Sequence, residues 1–494
     1  MNFFRRSLAT LLLLSCAPLF SCILLPEPTA MPVDDRVGKM VPLMDLFVDR
    51  TGFNGVVLVA EAGQVIYRKA FGKANMEWNV PNTVDTRFKL ASLGKQFTAL
   101  IIMQLVESGK LELDDKLIAY VPEMTGKNAD RITIHQLLNH TSGVPNYHVI
   151  ADFDGAAAKR KLSRLEFLGL FKDKELLFEP GTQFQYSNLG YFLLALISER
   201  VTGRDLDALL RERIFRPAGM NDTFLEDTAA VMSNYASGYV NDYTHFEPAG
   251  FRDPSSVIGG GHVASTAPDL FRYDQALRTG KLLSAKYQER MYTPGMDEYG
   301  YGWWATQYPV PGQDSVTLVY HDGGTSGAAT VMYRFLESDR CVVVLSNVSP
   351  YDCYPIARGL SRILHDRAFD PPKRSLVERF ARTVQQQGSD AAAKEFRALK
   401  ANEAEFELDG VAFNQLGYQY LRKNELDDAV AVFLLNVEAF PQVGDPYDSL
   451  AEAYMRQGKN ELAIANYSRA LDLDPNNANA RVMLGKLKGQ APGP

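Results

Sequence analysis

Apolar residues near the start of the chain form two short runs separated by a turn. Residues 55–60 and 64–71 are rich in β-branched and aromatic side chains, and Glu61-Ala62-Gly63 lies between them. This spacing predicts a β-hairpin. A longer apolar segment, residues 92–108, carries apolar side chains on more than one helical face. It predicts a helix that is buried at the centre of a domain.

The middle of the chain, residues 114–293, has mainly helical and loop character. An apolar helix is predicted over residues 189–199, ending near Gly203, and another follows Gly259-Gly260-Gly261 with Thr266 as its N-terminal cap. Four closely spaced strands are predicted over residues 302–308, 315–321, 328–335 and 341–346, followed by an apolar helix over residues 354–364. The short connections favour antiparallel pairing. This order predicts an α+β fold: one antiparallel sheet completed by both ends of the domain and flanked by helices, plus an all-helical subdomain.

A repeat appears in the last quarter of the chain, beyond Pro371-Pro372. Five pairs of similar residues are each 34 positions apart: Leu416 and Leu450, Tyr420 and Tyr454, Ala429 and Ala463, Phe433 and Tyr467, Pro441 and Pro475. This period and these residue types are typical of tetratricopeptide helix pairs. Two such units are marginal alone, so residues 376–399 and the segment around Leu484 are expected to complete the stack. We therefore predict an all-α tetratricopeptide-like repeat domain over residues 373–494, after an α+β domain over residues 33–368.

Composition and charge exclude several classes of protein. The chain has 494 residues, 46% of them hydrophobic, which is enough for more than one domain with its own core. Its formal net charge of −7 gives no basic field to hold a phosphate backbone, so no nucleic-acid partner is expected. The histidines lack paired ligand spacing such as H-E-x-x-H, so no metal site is predicted, and no cofactor is expected. Cys341 begins an apolar run, which favours a buried free thiol.

The N-terminal segment has the features of an export signal. Arg5 and Arg6 precede an apolar stretch, residues 8–20, that is too short to cross a bilayer as a helix. Residues 1–30 are therefore predicted to be a signal peptide. Lipid attachment at Cys22, or at Cys16 after a shorter apolar core, would anchor the mature chain to a membrane, whereas cleavage near Ala30 would release it. We expect secretion across the inner membrane, giving a periplasmic protein or a membrane-anchored lipoprotein.

Ser92 and Lys95 form an S-x-x-K motif at the start of the buried helix. Backbone N–H groups at a helix N-terminus favour a developing negative charge. Lys95 falls one turn after Ser92 on the same face, close enough to take the serine proton. Burial beside another cation lowers the pKa of a lysine and leaves a neutral amine as a base. The structural alternative is a capping serine followed by a solvated lysine.

A Y-x-N motif, Tyr186-Ser187-Asn188, follows a Pro-Gly turn and precedes an apolar helix. Its tyrosine oxygen could relay a proton to a leaving group, and Asn188 could donate to a substrate amide. The structural alternative is a packed amphipathic tyrosine. The chain also contains a competing motif, Tyr239-Val240-Asn241.

A third motif, His321-Asp322-Gly323, ends a predicted strand and continues as Gly324-Thr325-Ser326-Gly327. A ligand can lie close against such a glycine-rich backbone. If this strand edge faces Ser92, the Gly324 N–H can join the Ser92 N–H as an oxyanion hole. The alternatives are a glycine-rich hairpin with an incidental histidine and the competing motif Arg278-Thr279-Gly280, whose glycine is interpreted as a helix C-cap.

Taken in this order, the three motifs resemble the serine β-lactamase and penicillin-recognising superfamily, and most of all its class C β-lactamase and D,D-peptidase branch, the S12 serine peptidases. Other stretches are similar to this family: Leu137-Leu138-Asn139-His140-Thr141-Ser142-Gly143, Gly259-Gly260-Gly261 leading to Ser265-Thr266, and Tyr301-Gly302-Trp303. The resemblance covers about residues 36–365. It implies a β-lactamase-like fold and acyl-serine chemistry.

The resemblance also implies a role for each motif residue. Ser92 would be the nucleophile, Lys95 the base in acylation, Tyr186 the proton relay and Asn188 a contact to the substrate amide, with His321, Gly323 and Gly324 forming the substrate-binding strand element. The sequence departs from the pattern at His321, where β-lactamases of this branch usually have lysine. Histidine there is similar to certain D,D-carboxypeptidases, D-aminopeptidases and esterases. Because histidine is only partly protonated near neutral pH, we expect a weaker carboxylate anchor and inefficient β-lactam turnover.

These observations predict a serine hydrolase that acts through a covalent acyl-enzyme. The expected substrate is a D-amino-acid peptide first, a carboxylic ester second and a β-lactam third. The competing hypothesis is a non-catalytic protein that holds a cell-wall peptide. The repeats are expected to dock a protein partner or, alternatively, to pack on the hydrolase as a structural lid.

Overall fold

The computed structural model describes residues 35–489 except positions 127, 152 and 313. The predicted signal peptide, with Cys16 and Cys22, lies outside the described residues.

A six-stranded antiparallel sheet forms the centre of the larger part of the chain. In spatial order its strands are Trp304–Tyr308, Val316–Thr325, Ala328–Phe335, Arg340–Ser346, Gly55–Glu61 and Gln64–Phe71. The first strand of the chain pairs with the last strand of the sheet, with Gly55 opposite Ser346 and Glu61 opposite Arg340. The predicted N-terminal hairpin, the antiparallel pairing and the completion of one sheet by both ends of the domain are thus confirmed.

Each face of this sheet is covered by helices. Val57 and Val59 pack with Leu43 and Phe47 on one face, whereas Val56 and Leu58 pack on the other, in the same cluster as Phe97. Successive residues of a strand point to opposite faces of the sheet. The continuous apolar run of strand Gly55–Glu61 therefore contributes side chains to a hydrophobic core on each face. One face is covered by helices Asp35–Thr51 and Tyr354–Leu364. The other is covered by helix Ala267–Arg278, and the buried helix Lys95–Glu107 lies in the same core, packed against helix Asn188–Thr202.

The remaining elements of this part are helices and short strands around the sheet. Its other helices are Leu117–Tyr120, Ile134–Leu138, Arg164–Gly169, Asn188–Thr202, Leu206–Leu210, Arg216–Ala218, Ala267–Arg278 and Ala285–Tyr292. Its short strands are Lys73–Asn75, Val80–Pro81, Phe88–Lys89, Phe224–Leu225, Tyr239–Asn241, Phe246–Pro248, Val263–Ser265 and Val348–Ser349. Helix Asn188–Thr202 ends at Gly203 in a left-handed conformation, and the Thr266 side chain caps helix Ala267–Arg278, both as predicted.

The C-terminal part is a stack of antiparallel helices joined to a two-stranded ribbon, Arg374–Ser375 and Phe406–Glu407. Its helices are Leu376–Gln387, Ser389–Leu399, Gly410–Lys423, Leu426–Ala439, Gly444–Arg456, Asn460–Leu473 and Ala478–Leu487. The repeated small residues Ala429 and Ala463 are fully buried between helices. A Cβ at Gly417 would lie 2.4 Å from the Phe433 ring, so close helix packing explains the glycine. The predicted helical repeats are confirmed.

A β-hairpin of the larger part, Tyr239–Asn241 and Phe246–Pro248, contacts the repeat domain. Tyr243 at its tip lies in the apolar core of the repeats, and its hydroxyl donates to Oε1 of Gln415 at 3.2 Å. Nδ2 of Asn241 donates to Oε1 of Glu378 at 2.9 Å, and Nζ of Lys423 lies 2.8 Å from Oδ2 of Asp242. The competing Tyr239-Val240-Asn241 motif is therefore part of an interdomain contact.

Two further observations concern cysteines and membranes. Cys341 is a buried free thiol, as predicted, and so is Cys353. Among the helices within residues 35–489 that the structure describes, none is long and apolar enough to cross a bilayer.

Candidate active site

Ser92 lies on a turn of 3-10 helix, Ala91–Gly94, that leads directly into the buried helix Lys95–Glu107. Ala91 has φ of +50°, an uncommon value for a residue with a side chain. The glycine-rich strand Val316–Thr325 packs tightly against this turn: a Cβ on Gly323 would lie 2.0 Å from the Leu90 carbonyl oxygen. The strand and the serine turn are therefore fixed against each other.

The Lys95 ammonium group is fully buried and has three oxygen neighbours. Its Nζ donates to Oδ1 of Asn188 at 2.6 Å and to the Gly260 carbonyl oxygen at 3.0 Å, and it lies 3.1 Å from Oγ of Ser92. The amide and carbonyl oxygens can only accept, so they fix two N–H bonds of the amine. The third position around Nζ faces the serine hydroxyl.

Burial decides the protonation of Lys95. Desolvation lowers its pKa from 10.5 to about 7, and the carboxylate of Asp322 opposes this shift only in part. A substantial fraction of the side chain is therefore a neutral amine near neutral pH. With two N–H bonds held by Asn188 and Gly260, its lone pair points toward Ser92.

Tyr186 lies in the loop before helix Asn188–Thr202, with its ring centroid 4.8 Å from Nζ of Lys95. Its hydroxyl oxygen is buried and forms no hydrogen bond of normal geometry to the described residues. Burial raises the pKa of Tyr186 well above 10, and the nearby Ser92 hydroxyl only partly opposes this. Tyr186 is thus a protonated phenol whose hydroxyl lies near that of Ser92.

Asn188 is held by a residue that the sequence patterns did not identify. Oδ1 of Asn146 accepts from both the backbone N–H and Nδ2 of Asn188, each at 3.2 Å. These bonds turn Oδ1 of Asn188 toward Lys95. One N–H of the Asn188 side chain is thus used within the protein, whereas sequence reasoning assigned the amide to the substrate. A lone asparagine in a loop gave no signal that could have found Asn146.

The triple glycine at 259–261 brings a carbonyl to Lys95. Gly259 has φ of +74°, and a Cβ there would lie 2.3 Å from the Tyr191 carbonyl oxygen. This close approach places the Gly260 carbonyl within hydrogen-bond distance of Nζ. The triple glycine therefore supplies one of the hydrogen-bond acceptors of Lys95.

The structure corrects the expectation for His321. Its side chain is fully buried, with Nδ1 at 2.6 Å from its neighbour's carbonyl oxygen at position 322 and Nε2 at 3.1 Å from the Tyr299 hydroxyl. Its ring packs 4.6 Å from the Trp304 ring. Burial lowers the pKa of His321 to about 3, so the ring is neutral at neutral pH rather than partly protonated. It does not line the cleft, and it cannot act there as the expected carboxylate anchor.

Gly323 and Gly324 have different environments. Gly323 is buried against Leu90 and does not line the cleft beside Ser92, contrary to its expected contact with substrate. Gly324 is exposed, lines that cleft, and has no atom within 4 Å of the position that a Cβ would take. Strand Trp304–Tyr308 pairs only with residues 316–320. The edge that carries Gly324 is therefore open on the side of that strand, within the described sheet.

A cleft of about 570 Å³ opens over these groups. Ser92, Asn188, Gly260 and Gly324 line it together. Its other walls carry the basic residues Lys89, Lys159 and Arg252, the acidic residue Glu226, and the aromatic residues Tyr147 and Phe251. The arrangement can place a carbonyl group beside a serine hydroxyl that faces a buried amine.

Known proteins with similar sequences or structures belong to the family that the three motifs resemble. The family model described as Beta-lactamase matches residues 42–362, and a TPR repeat model matches residues 451–490. A penicillin-binding protein of Bacillus subtilis (strain 168) is 33% identical over 67% of this chain and 77% of its own length. A D-aminopeptidase of Brucella anthropi is 32% identical over 45% of this chain and 42% of its own length. The crystal structure of a penicillin-binding protein from Bacillus halodurans has a TM-score of 0.58 at 28% identity, covering 65% of this chain and 98% of that one.

Proposed function

The chain belongs to the beta-lactamase family and is a serine hydrolase, and from this premise we propose that Ser92 is acylated by a D-amino-acid peptide and releases the acyl group to water. The observation that carries the proposal is the contact set of Lys95. A buried amine with a pKa of about 7, held by Asn188 and Gly260, faces the serine hydroxyl. A structural capping serine would not need such a base.

In acylation, neutral Lys95 takes the proton from Oγ of Ser92 while Oγ attacks the substrate carbonyl carbon. The negative charge that develops on the carbonyl oxygen is accepted by the backbone N–H groups of Ser92 and Gly324. The exposed position of Gly324 on an open strand edge supports this assignment. The same edge allows an extended peptide backbone to pair with the strand.

Expulsion of an amine requires a proton, and Tyr186 is placed to deliver it. Its hydroxyl is protonated and lies near the Ser92 hydroxyl. It passes a proton to the leaving nitrogen and is reprotonated from Lys95, whose ammonium lies against the Tyr186 ring. Water then attacks the acyl ester, with the same groups used in reverse order.

The relatives support a D-amino-acid peptide as substrate, because one is a D-aminopeptidase and another a penicillin-binding protein. Carboxylic esters fit the same acyl-transfer chemistry. A β-lactam remains the third candidate, since neutral His321 gives the strand no cation.

We further propose that the chain is exported by its N-terminal segment to the periplasm, free or anchored by a lipid on Cys22. The repeats would then dock a protein partner outside the inner membrane. Mass spectrometry of the mature N-terminus tests the anchor, because a diacylglyceryl cysteine adds a lipid mass that ordinary cleavage near Ala30 does not.

Intact-mass spectrometry tests the catalytic proposal. Purified protein is incubated with p-nitrophenyl acetate and, separately, with a penicillin, and the adduct is mapped by peptide digestion. We expect acylation of Ser92 that turns over with the ester, and none in Ser92→Ala. Absence of any adduct with both reagents, in a protein with an intact fold, would instead support the non-catalytic peptide-binding alternative.

A further inference from the structure

A second cavity, of about 830 Å³, lies between the hydrolase and the repeat domain. On the hydrolase side it is lined by residues 322–325 of strand Val316–Thr325, among others. On the repeat side it is lined by Asp409, Val411, Ala412 and Gln415. Gly324 and Thr325 also line the cleft beside Ser92. This interdomain groove therefore adjoins the cleft along one strand.

The two faces of this strand differ at neighbouring glycines. A Cβ on Gly323 would point at the Leu90 carbonyl, on the side of the serine turn, whereas a Cβ on Gly324 would meet no atom within 4 Å. Since successive residues of a strand face opposite ways, Gly324 is open on the side away from the serine turn. A peptide that pairs with the open edge of the strand has the same alternation. Every second side chain of such a peptide would point toward the interdomain groove.

The repeat side of the groove is held against the hydrolase by Tyr243. This residue lines the groove, lies in the repeat core, and donates its hydroxyl to Oε1 of Gln415 at 3.2 Å. Val411, on the first turn of helix Gly410–Lys423, is 68% exposed although it is apolar. A ligand in the groove would cover this side chain and gain the free energy of burying apolar surface.

The groove has an acidic lining. Among the described residues that line it are Asp322, Asp352 and Asp409, and none of them is a lysine, an arginine or a histidine. Oδ1 of Asp409 accepts from the backbone N–H of Val411 at 2.9 Å. Oδ1 of Asp352 accepts from the backbone N–H of Tyr354 at 2.8 Å. Such hydrogen bonds favour the charged form of a carboxyl group, so the groove attracts cations.

Apolar and aromatic side chains share this lining with the carboxylates, among them Val411, Tyr351 and Tyr354. A long aliphatic side chain with an ammonium head suits such a mixture. Its stem can pack on the apolar surface, and its charge can lie near a carboxylate or over an aromatic ring.

We propose that the repeat domain completes the substrate site. The interdomain groove binds a lysine-like side chain of a peptide that pairs with the Gly324 edge, so that Asp409 and Val411 of the repeats help to select the substrate. The inference rests on the proposed function, because the peptide that reaches the groove is the one that acylates Ser92.

The test uses N-acetyl tri-D-alanine in which D-lysine or its uncharged analogue D-norleucine replaces each residue in turn. The readout is the largest ratio of kcat/KM, lysine over norleucine, among the three positions. We expect a ratio above one in the full-length wild type that falls with added salt. It should fall about two- to fivefold in Asp409→Asn, which removes the charge but keeps a good helix cap. It should fall further in Val411→Lys, which places a cation in the groove.

Val482→Lys is the matched control. Val482 is an exposed valine of the last repeat helix, 46% exposed, and it does not line the groove. Its variant adds the same charge to the repeat domain and should keep the wild-type ratio. Circular dichroism compares the melting temperatures of all variants, so that a loss of fold is recognised.

A wild-type ratio of one or less at all three positions would overturn the inference. So would a lysine preference that Asp409→Asn or Val411→Lys leaves unchanged, or that Val482→Lys reduces equally. Failure of the proposed function has a different signature, because Ser92 would then not be acylated by p-nitrophenyl acetate or the D-peptides would not be turned over. In that case equilibrium titration of the full-length Ser92→Ala protein with the same peptides decides the question. Tighter binding of the lysine peptide that depends on Asp409 and Val411 supports the groove, and equal binding of the two peptides refutes it.

Discussion

At the scale of single residues, the proposed chemistry depends on the surroundings of one nitrogen atom, Nζ of Lys95. Nζ of Lys95 has two oxygen acceptors that cannot donate and one serine hydroxyl that can do both. Protonated, the lysine donates to all three. Neutral, it keeps the first two bonds and accepts from the serine. The contacts therefore fit both protonation states without rearrangement, as a base that is charged and discharged in each turnover requires.

The pKa of Lys95 gives a prediction for pH dependence. Since that pKa is about 7 and the base must be neutral, kcat/KM for p-nitrophenyl acetate should rise with pH through about 7 and level off above it. Lys95→Arg keeps the charge but not the base, and it should reduce kcat by about 10² to 10⁴ and remove the rise. A stopped-flow pH profile from pH 5 to 9 measures both effects. An unchanged profile in Lys95→Arg would exclude this lysine as the base.

The same shift affects stability in a defined direction. The folded pKa of about 7 lies below the ordinary value of 10.5, so the unfolded chain binds more protons between these two values. Below pH 7, burial of Lys95 therefore lowers the free energy of unfolding by its full amount. As pH rises from 7 toward 10.5, this destabilisation decreases and the free energy of unfolding increases.

Tyr186→Phe separates the proton relay from the packing of the ring. The variant keeps the stacking of the ring on Trp304 and removes only the hydroxyl near Ser92. We expect kcat for a D-peptide amide to fall by about 10² or more, and kcat for a p-nitrophenyl ester to fall less, because p-nitrophenolate leaves without a proton. Equal losses for both substrates would contradict the relay.

Contacts between residues of one local motif could be predicted from the sequence. The burial and protonation of a residue could not, because they depend on side chains from distant parts of the chain. Ser92 and Lys95 are one helical turn apart, so their proximity follows from sequence spacing alone. The burial of His321 depends on Tyr299 and Trp304, which pack on it from neighbouring elements. A histidine on a strand carries no sequence signal for such a contact, and its protonation was therefore predicted wrongly.

At the scale of elements, two adjacent glycines of strand Val316–Thr325 have different roles beside the serine turn. Gly323 packs on the Leu90 carbonyl, and Gly324 is left open to the cleft. One glycine fixes the distance between the elements, and the other keeps space for a ligand.

A pair of substitutions tests this division. Gly323→Ala places a Cβ about 2.0 Å from a backbone oxygen, so it should destabilise the fold by about 1–3 kcal/mol. Gly324→Ala meets no atom within 4 Å and should leave the melting temperature near that of the wild type. Thermal unfolding followed by circular dichroism compares the two. A similar loss of stability in both variants would argue against the packing role of Gly323.

Most regular elements followed from apolar periodicity, and the exceptions have physical causes. The central strands and helices Lys95–Glu107 and Tyr354–Leu364 are dominated by burial, which the patterns report directly. Helix Asp35–Thr51 was not predicted, because Gly38 and Pro42 interrupt its pattern. It forms because Leu43 and Phe47 are buried against the sheet, so tertiary packing overrides local propensity.

At the scale of the whole molecule, the hairpin around Tyr243 joins the repeats to the hydrolase. Tyr243 is 8% exposed and lies within the repeat core, although its chain segment belongs to the hydrolase. The same hairpin continues into Phe251 and Arg252 on the wall of the cleft. The sequence did not predict that this hairpin contacts the repeats, because no motif or periodicity links the two segments.

Tyr243→Ala tests how strongly this contact stabilises the repeats. Removing a buried aromatic ring should cost about 2–4 kcal/mol and lower the unfolding transition of the repeat domain. Differential scanning calorimetry of the full chain resolves the transitions. Trp78→Ala is the control, because Trp78 is 83% exposed and its removal should shift neither transition. An unshifted repeat transition in Tyr243→Ala would mean that the contact is not stabilising.

The pairing of the first strand with the last has a consequence for biosynthesis. Ser92 leaves the ribosome early, but the strand that carries Gly324 and the strand that closes the sheet, Arg340–Ser346, are made more than 200 residues later, by the difference 324−92=232. A nascent or truncated chain that ends before Gly324 therefore has Ser92 and Lys95 without the proposed oxyanion donor, and one that ends before residue 346 lacks a complete sheet. If Ser92 and Gly324 act as proposed, esterase activity in a translation time course should appear only after the whole domain has been made and folded, and not when Ser92 leaves the ribosome.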